Sequence, residues 1–232
     1  MIEDRLAAVR EQIAQAAARA GRQPEDVTLV AVSKTFPAEA VREAFAAGLR
    51  VFGENKVQEA EGKMASLGEI LAQGARFHLV GHLQGNKAKK AAALFECVHS
   101  VDSADLARRL ASAAAEHGKV LGVLVQVDLA GEATKHGVGE GELFSTLESM
   151  RGLASLRAEG LMILPPLAED PAAGRSYFKR LRELRDEAFA RGLLQGKDLS
   201  MGMSHDLEVA VEEGATLVRV GTALFGGRAA RQ

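Results

Sequence analysis

The sequence predicts an α/β protein whose single domain is a closed barrel of eight β/α units, a (β/α)8 TIM barrel, with an extra N-terminal helix. Eight short apolar runs alternate with longer amphipathic or alanine-rich segments, which indicates parallel strands joined by helices. Eight such units within 232 residues fit a closed barrel. A doubly wound open sheet is the alternative, but the first run is followed by residues 33–37 (SKTFP) where a glycine-rich dinucleotide turn would stand.

The elements follow one another in a regular order. The opening segment 1–21 places Ile2, Leu6, Val9 and Ile13 on one helical face and ends at Gly21, which predicts the extra helix. Apolar runs predict strands at 27–32, 49–52, 77–80, 96–99, 121–128, 158–164, 198–201 and 217–220. Helical patterns cover 38–47, 54–72, 105–117, 140–150, 172–191 and 207–213. Helices are expected to end at glycines 48, 74, 118, 152, 192 and 214. We expect one domain over 1–232, with the barrel spanning 27–228.

Composition excludes several classes of partner. The formal net charge of −2 gives no electrostatic reason to expect a nucleic acid or a membrane surface. No apolar stretch is long enough to span a bilayer, and the N-terminus lacks the order of a signal peptide. The lone Cys97 cannot form an intrachain disulfide and fits a reducing compartment. We therefore expect a cytoplasmic protein, and a monomer because no apolar stripe beyond the helix faces calls for a partner.

Lys34 ends the first apolar run, just before Thr35, Phe36 and Pro37. A strand buried on both faces is expected to stop at this proline. A lysine at the end of such a strand enters the cavity that the strand ends form. Desolvation there disfavours the ammonium form, so the neutral amine becomes available to attack an aldehyde and form a Schiff base. A strand-end lysine whose ammonium reaches water is the alternative interpretation.

The loops after the last two predicted strands combine hydroxyl groups with glycine. Ser204 is placed to cap a helix that begins near His205, and Thr222 to cap a terminal helix that runs through Phe225. Barrels of this type bind phosphate on backbone N–H groups in these two loops, and Gly221 would let the phosphate approach the backbone. The two loops together predict a phosphate site, with two ordinary helix caps as the alternative.

Arg219 interrupts the last predicted strand, which should be buried on both faces. A guanidinium there needs an anion or a strong acceptor, because an unpaired buried charge is very costly. If Arg219 faces the barrel lumen, it shares that face with Gly221 through the period of two. A structural salt bridge is the rival explanation. A phosphorylated aldehyde with a ring nitrogen as acceptor would satisfy the lysine, the phosphate loops and the arginine together, and pyridoxal phosphate has these features.

Ordered sequence blocks carry a resemblance to a known family over nearly the whole chain. They are 29–35 (LVAVSKT), 52–55 (FGEN), 57–59 (VQE), Gly81 with 83–84 (LQ), 86–87 (NK), 160–162 (GLM), 199–204 (LSMGMS) and 218–226 (VRVGTALFG). With these blocks the chain resembles the pyridoxal phosphate homeostasis proteins, whose fold is similar to the N-terminal barrel of alanine racemase. The resemblance implies a non-catalytic binder of pyridoxal phosphate that affects the vitamin B6 pool and amino-acid balance.

The resemblance also implies a set of binding residues at the predicted strand ends. The expected cofactor-binding residues are Lys34, Asn55, Ser204, Arg219, Gly221 and Thr222. Lys34 is expected to carry pyridoxal phosphate covalently as a Schiff base, and Arg219 to meet the pyridine nitrogen. Asn55 is expected beside the cofactor, and the remaining residues at its phosphate. Apoenzymes that require pyridoxal phosphate are candidate recipients of the cofactor.

The chain departs from the family pattern at four positions. Lys56 replaces the usual aromatic residue, His82 a common proline, Gly85 a common serine and His205 a common acidic or small residue. None of these touches Lys34 or the glycine–threonine end of the last predicted strand, at Gly221 and Thr222. The departures therefore concern the wall of the pocket and any ligand besides the cofactor.

A racemase that depends on pyridoxal phosphate is the alternative function. Racemisation of the alanine-racemase type needs a tyrosine opposite the lysine, but the single tyrosine, Tyr177, lies inside the predicted helix 172–191. Arg219 at the ring nitrogen would disfavour its protonation and weaken the electron sink. No catalytic residues are therefore predicted. A class I aldolase is a third option, which lacks a second lumen lysine in the middle strands.

Other polar residues do not form a predicted site. His78 and His82 are four residues apart, but a strand followed by a loop would not place them on one face, so no metal site is predicted. Glu54, Glu59, Asp102 and Asp128 are candidate acids or bases at loop ends. Nothing in the sequence pairs them as a catalytic dyad.

Overall fold

The strands of the computed structural model, which describes residues 1–131 and 136–227, form a closed parallel barrel. They are β1 (Thr28–Val32), β2 (Val51–Glu54), β3 (Arg76–Leu79), β4 (Cys97–Val101), β5 (Leu121–Asp128), β6 (Val138–Gly139), β7 (Leu156–Met162), β8 (Asp198–Met203) and β9 (Leu217–Val220). Consecutive strands pair in parallel, β5 pairs with β7, and β9 pairs with β1 to close the ring. The two-residue β6 pairs with β5 outside this ring of eight strands. The predicted (β/α)8 barrel is confirmed.

Helices surround the barrel of the described chain. They are α1 (Ile2–Arg19), α2 (Ala38–Ala46), α3 (Val57–Met64), α4 (Gly68–Ala72), α5 (Ala88–Leu94), α6 (Ala104–Glu116), α7 (Leu143–Met150), α8 (Arg175–Ala190), α9 (Leu207–Glu212) and α10 (Thr222–Phe225). The predicted N-terminal helix is present as α1. The glycines expected at helix ends, at 48, 74, 118, 152, 192 and 214, all have φ between +63° and +101°, where glycine meets no Cβ clash. No helix in the described ranges is both long and apolar enough to cross a membrane.

The predicted helical pattern 54–72 differs from the structure for reasons of packing. Glu54, assigned to the helical pattern 54–72, lies in β2, where it pairs with Leu79 of β3. The same pattern is divided into α3 and α4, because the chain turns at 65–67 to bury Leu67 completely. The predicted end of the barrel, Arg228, lies outside the described residues.

Apolar residues form two separate layers. The larger cluster lies between the strands and the helices, where α1 contributes Leu6, Val9 and Ile13. A smaller cluster fills the inside of the barrel and consists of Val30, Val32, Val51, Val80, Cys97, Leu124, Met162 and Leu217. The strands are thus buried on both faces, as parallel strands in a barrel are.

Candidate functional site

A cavity of about 520 Å³ opens at the carboxyl ends of the barrel strands. Residues from both halves of the barrel line it: Val32, Lys34, Asn55, Val80, Gly81, His82, Leu164, Met203, Ser204, His205, Arg219, Gly221 and Thr222. We call this cavity the mouth pocket. It brings together all six residues that the sequence predicted for cofactor binding.

Lys34 lies in a tight turn at the edge of the mouth pocket. β1 ends at Val32, so Lys34 is two residues beyond the strand and is half-buried. The next residue, Thr35, has φ +67°, the only positive φ of a non-glycine residue in the described chain. This conformation is costly for a β-branched residue and persists only where neighbours fix it. The Thr35 N–H donates to a carboxylate oxygen of Glu59 in α3, which fixes the turn that presents Lys34.

A buried ion pair lies directly behind this turn. Lys63 Nζ of α3 is 2.5 Å from Glu54 Oε1, and it also donates to the backbone oxygen of Ser33 at 2.7 Å. The Ser33 hydroxyl donates to the same Glu54 oxygen at 2.6 Å. Burial raises the pKa of the Glu54 carboxyl, while its hydrogen bonds with Lys63 and Ser33 oppose that rise. The network connects β1, β2 and α3 immediately before Lys34.

Glycine at position 81 lets the end of β3 approach the end of β2. A Cβ at Gly81 would lie 2.4 Å from the backbone oxygen of Asn55, a distance that no side chain could tolerate. The backbone oxygen of Gly81 accepts a hydrogen bond from the Ser100 hydroxyl at 2.7 Å. This close contact places Asn55 at the edge of the mouth pocket.

The two predicted phosphate loops meet, although not through the predicted caps. Ser204 does not cap α9; Asp206 occupies the N-cap position there. The Ser204 hydroxyl instead accepts from the Ala223 N–H, at 3.4 Å, in the other loop. Thr222 is the first residue of α10, and Gly221 is its N-cap. A Cβ at Gly221 would lie 3.3 Å from the backbone oxygen of Val32, so glycine also keeps this loop close to β1.

Arg219 lies almost fully buried in the lumen, at 4% exposure. Its Nη1 donates to the Ser200 hydroxyl at 2.6 Å and its Nη2 to the backbone oxygen of Ile163 at 2.9 Å. Burial lowers the pKa of its guanidinium to about 10, while the charge of Asp206 opposes the fall. Within the described ranges no carboxylate lies at ion-pair distance, so the rival explanation of a structural salt bridge is not met. The guanidinium has further N–H donors for an acceptor in the mouth pocket.

Two of the four departures from the family pattern line the mouth pocket. His82 Nδ1 lies 3.3 Å from a carboxylate oxygen of Asp102, and its ring stacks on His136 with centroids 3.5 Å apart. His205 contacts the backbone oxygen of Glu169 through Nε2, at 3.0 Å. The other two, at positions 56 and 85, are not part of the pocket lining. His82 and its partners give one wall of the pocket acid–base character that sequence reasoning did not foresee.

The sequence contains only part of the information needed to predict the ion pair behind Lys34. Glu59 and Lys63 are spaced by four residues, as neighbours on a helix face are. Glu54, a candidate acid or base at a loop end, is the last residue of β2 and pairs with Lys63 inside the protein. No local pattern indicates that pairing. His78 and His82 do not meet, since His78 bonds to His99 inside the barrel.

Sequence comparison relates the chain to known proteins over nearly its whole length. The family model described as alanine racemase, N-terminal domain, matches residues 5–229. The pyridoxal phosphate homeostasis protein of Pseudomonas aeruginosa is 47% identical over 228 residues, which cover 98% of this chain and 96% of the relative. The protein of the same name from Aquifex aeolicus is 43% identical over 225 residues, covering 97% of each chain.

Structural comparison gives the same grouping. PipY of Synechococcus elongatus PCC7942 has been solved with PLP bound, and it matches with a TM-score of 0.86 and 41% identity over 97% of this chain and 100% of that one. The alanine racemase of Streptomyces coelicolor A3(2) matches with a TM-score of 0.68 and 24% identity. That match covers 94% of this chain but 58% of the racemase, and it shows a shared barrel fold.

Proposed function

This chain belongs to the family of pyridoxal phosphate homeostasis proteins, and on that premise we propose that it is a non-catalytic protein that binds pyridoxal phosphate and takes part in cofactor homeostasis. The observation that carries this proposal is the mouth pocket, in which Lys34, Arg219 and the two hydroxyl-bearing loops line one cavity. An amine, a guanidinium and a glycine–hydroxyl loop pair match the aldehyde, the ring nitrogen and the phosphate of this cofactor.

We assign a role to each residue of the pocket that was predicted from the sequence. Lys34 would hold the cofactor through its Nζ, an amine that can condense with an aldehyde and release the aldehyde oxygen as water. Ser204, Gly221 and Thr222 bind the phosphate, and Asn55 lies beside the cofactor. When bound, pyridoxal phosphate supplies an electrophilic carbonyl and an electron-accepting ring. A guanidinium donates to the ring nitrogen without protonating it, so Arg219 favours storage over carbanion chemistry.

The same proposal covers compartment and partners. Cys97 is buried, and burial raises the pKa of its thiol, so it is inert in the way of a packed core residue. We propose that the protein acts as a cytoplasmic monomer and that apoenzymes requiring pyridoxal phosphate receive the cofactor from it. The opening of the pocket at one end of the barrel leaves the ligand accessible for such a transfer.

Thr222→Val tests the phosphate assignment and with it the proposed ligand. The substitution keeps nearly the same volume but removes the hydroxyl. We expect it to weaken binding of pyridoxal phosphate by about tenfold or more, because hydrogen bonds to charged groups are strong, and to change unphosphorylated pyridoxal little. Equilibrium titration followed by the visible spectrum measures both ligands.

Thr222→Ser is the matched control, because it retains the hydroxyl and should bind both ligands nearly as the wild type does. Equal losses for pyridoxal phosphate and pyridoxal in Thr222→Val would mean that the hydroxyl does not serve the phosphate. A wild-type protein that bound neither ligand would contradict the proposed function itself.

One observation favours the alternative of a racemase that depends on pyridoxal phosphate. His82 lines the mouth pocket and lies 3.3 Å from Asp102, which gives it the partner of an acid–base histidine. Tyr177, by contrast, lies in α8 and packs against the outer core. Arg219 weakens the case for either residue, since a ring nitrogen that is not protonated stabilises a carbanion less well than a protonated one.

Hydrogen exchange at the α-carbon of amino acids separates the two functions. We expect the purified protein, loaded with pyridoxal phosphate in deuterated water, to incorporate negligible α-deuterium into L- or D-amino acids at the pace of metabolic enzymes, about ten turnovers per second. Proton NMR of the amino acids measures the incorporation. Rapid exchange that disappears in His82→Asn would establish the racemase in place of the binding protein.

A further inference from the structure

A continuous row of buried polar side chains, joined by hydrogen bonds, crosses the barrel lumen below the mouth pocket. We call this row, which consists of Arg219, Ser200, His99 and His78, the lumen chain. Arg219 Nη1 donates to Ser200 Oγ at 2.6 Å, and Ser200 Oγ lies 2.9 Å from His99 Nδ1. His99 Nε2 in turn lies 2.9 Å from His78 Nδ1. None of these four residues is more than 9% exposed. Beside the apolar residues of the inner cluster, buried polar groups of this kind persist only if every member is satisfied.

Strand register explains how residues from distant parts of the sequence meet in the lumen chain. His78 of β3 pairs with Cys97 of β4, so His99, two residues further along β4, points to the same face. On the other side of the lumen, Ser200 of β8 pairs with the residue of β9 that lies two positions before Arg219. The period of two therefore aims all four side chains inward.

The chemistry of the side chains determines which group donates in each hydrogen bond of the lumen chain. Arginine only donates, so Ser200 Oγ accepts from Arg219 and has its own proton for His99 Nδ1. Among the described residues no other acceptor lies within hydrogen-bond distance of the Ser200 hydroxyl. His99 must then carry its proton on Nε2 and donate to His78 Nδ1. Both histidines are thereby assigned as neutral Nε2–H tautomers.

Burial and ring geometry agree with this assignment. Desolvation lowers the pKa of His78 to about 4 and the pKa of His99 well below its ordinary value, so both rings are neutral near pH 7. The two ring centroids are 5.1 Å apart, and the facing nitrogens, His78 Nδ1 and His99 Nε2, are 2.9 Å apart. These two distances together mean that the nitrogens lie nearly on the line between the rings and point at each other, as in a hydrogen bond. Cys97 Sγ is close enough to complete a metal-ligand set, but these two nitrogens do not converge on a third point as metal ligands do.

We propose that Ser200, His99 and His78 are positioning residues that hold the guanidinium of Arg219 in one orientation toward the ring nitrogen of the bound cofactor. This inference rests on the proposed function. An arginine side chain has large rotamer entropy, which must be lost before one N–H can meet one acceptor. The lumen chain, together with the backbone oxygen of Ile163, removes that freedom before the ligand binds, and preorganisation of this kind raises affinity.

NMR of the protein without cofactor directly tests the hydrogen bonds of the lumen chain. In the wild type, the Nη1 and Nη2 groups of Arg219 should give separate, slowly exchanging signals, and ¹⁵N shifts should report Nε2–H tautomers for His99 and His78. Ser200→Ala should speed the solvent exchange of the Arg219 Nη1 signal, because only Nη1 bonds to Ser200, while Nη2 keeps its bond to the Ile163 oxygen. His117→Asn, at an exposed histidine outside the barrel, is the control and should change none of them. An Nδ1–H tautomer at His99, or an Arg219 Nη1 signal that exchanges as slowly in Ser200→Ala as in the wild type, would overturn the proposal.

Titration with pyridoxal phosphate then tests whether the lumen chain strengthens cofactor binding. We expect Ser200→Ala and His99→Leu to weaken binding by about tenfold, equivalent to about 1.4 kcal/mol, and to alter the absorption spectrum of the bound cofactor. His99→Asn keeps a hydrogen-bonding atom near Nδ1 and should recover most of the affinity, which a merely structural role would not predict. Wild-type affinity in the folded Ser200→Ala and His99→Leu variants would overturn the inference. A wild type that binds no pyridoxal phosphate would instead contradict the proposed function, while the NMR result still decides whether Arg219 is fixed.

Discussion

Lys34→Ala will abolish covalent attachment of pyridoxal phosphate while leaving the barrel folded. Among the described residues, Lys34 is the lysine that lines the mouth pocket, so its removal takes away the amine that the aldehyde can reach. Its side chain is half-buried in a turn beyond β1 and is not part of either apolar cluster, so little stability should be lost. Borohydride reduction followed by intact mass should show one pyridoxyl-phosphate adduct on the wild type and none on the variant.

Peptide mapping of the reduced wild type gives the decisive check. We expect the adduct on Lys34 alone. Lys89→Ala, at an exposed lysine of α5 that pairs with Glu116, is the control and should keep the adduct. An adduct mapped to Lys56, Lys87 or Lys135, the last of which lies outside the described residues, would refute the assignment of the site.

Lys63→Met will cost the protein a large share of its stability. Glu54 is fully buried, and its Oε2 has no hydrogen-bond partner within the described ranges, so Lys63 supplies most of what compensates its charge. Removing one partner of a buried ion pair costs about 3–5 kcal/mol, because the other charge stays buried and uncompensated. Urea denaturation of both proteins measures the difference in the free energy of unfolding.

Lys90→Met makes the same chemical change at the surface. Its ammonium lies 2.7 Å from Glu61, but both side chains are about half exposed, so its loss should cost less than about 1 kcal/mol. Similar losses for the two variants would show that burial does not decide the strength of the Lys63 pair. Lys63→Met should also weaken binding of pyridoxal phosphate, because Lys63 contacts the backbone of Ser33 immediately before Lys34.

Much of the mouth pocket could be predicted because it depends on short-range pattern and on one rule of the fold. Apolar runs locate the strands, and glycines with positive φ end the helices. Closing parallel strands into a barrel brings their carboxyl ends to one rim, whatever the detail of the loops. Lys34, Asn55 and Thr222 therefore had to lie near one another once the strands were located.

The predictions that failed depend on contacts between residues far apart in the sequence. Ser204 was expected to serve its own helix by local propensity, yet its hydroxyl bonds to Ala223, 19 residues later. Glu54 was expected at a loop end, at the start of the helical pattern 54–72, but pairing with β3 and with the ammonium of Lys63 holds it inside the protein. Local propensity is a weak force beside burial and pairing, so the tertiary contacts prevailed.

The sequence by itself determined the eight strands, the rim on which the reactive groups gather and the residues suited to an aldehyde, a phosphate and a ring nitrogen. Only the tertiary structure decided how those residues are supported. The hydrogen bond between His99 and Ser200 joins residues that are 101 positions apart, and no repeating pattern in the sequence predicts it. The physical reason is that side-chain partners inside a barrel are chosen by strand register and by the need to satisfy buried polar atoms, and both exist only once the ring has closed.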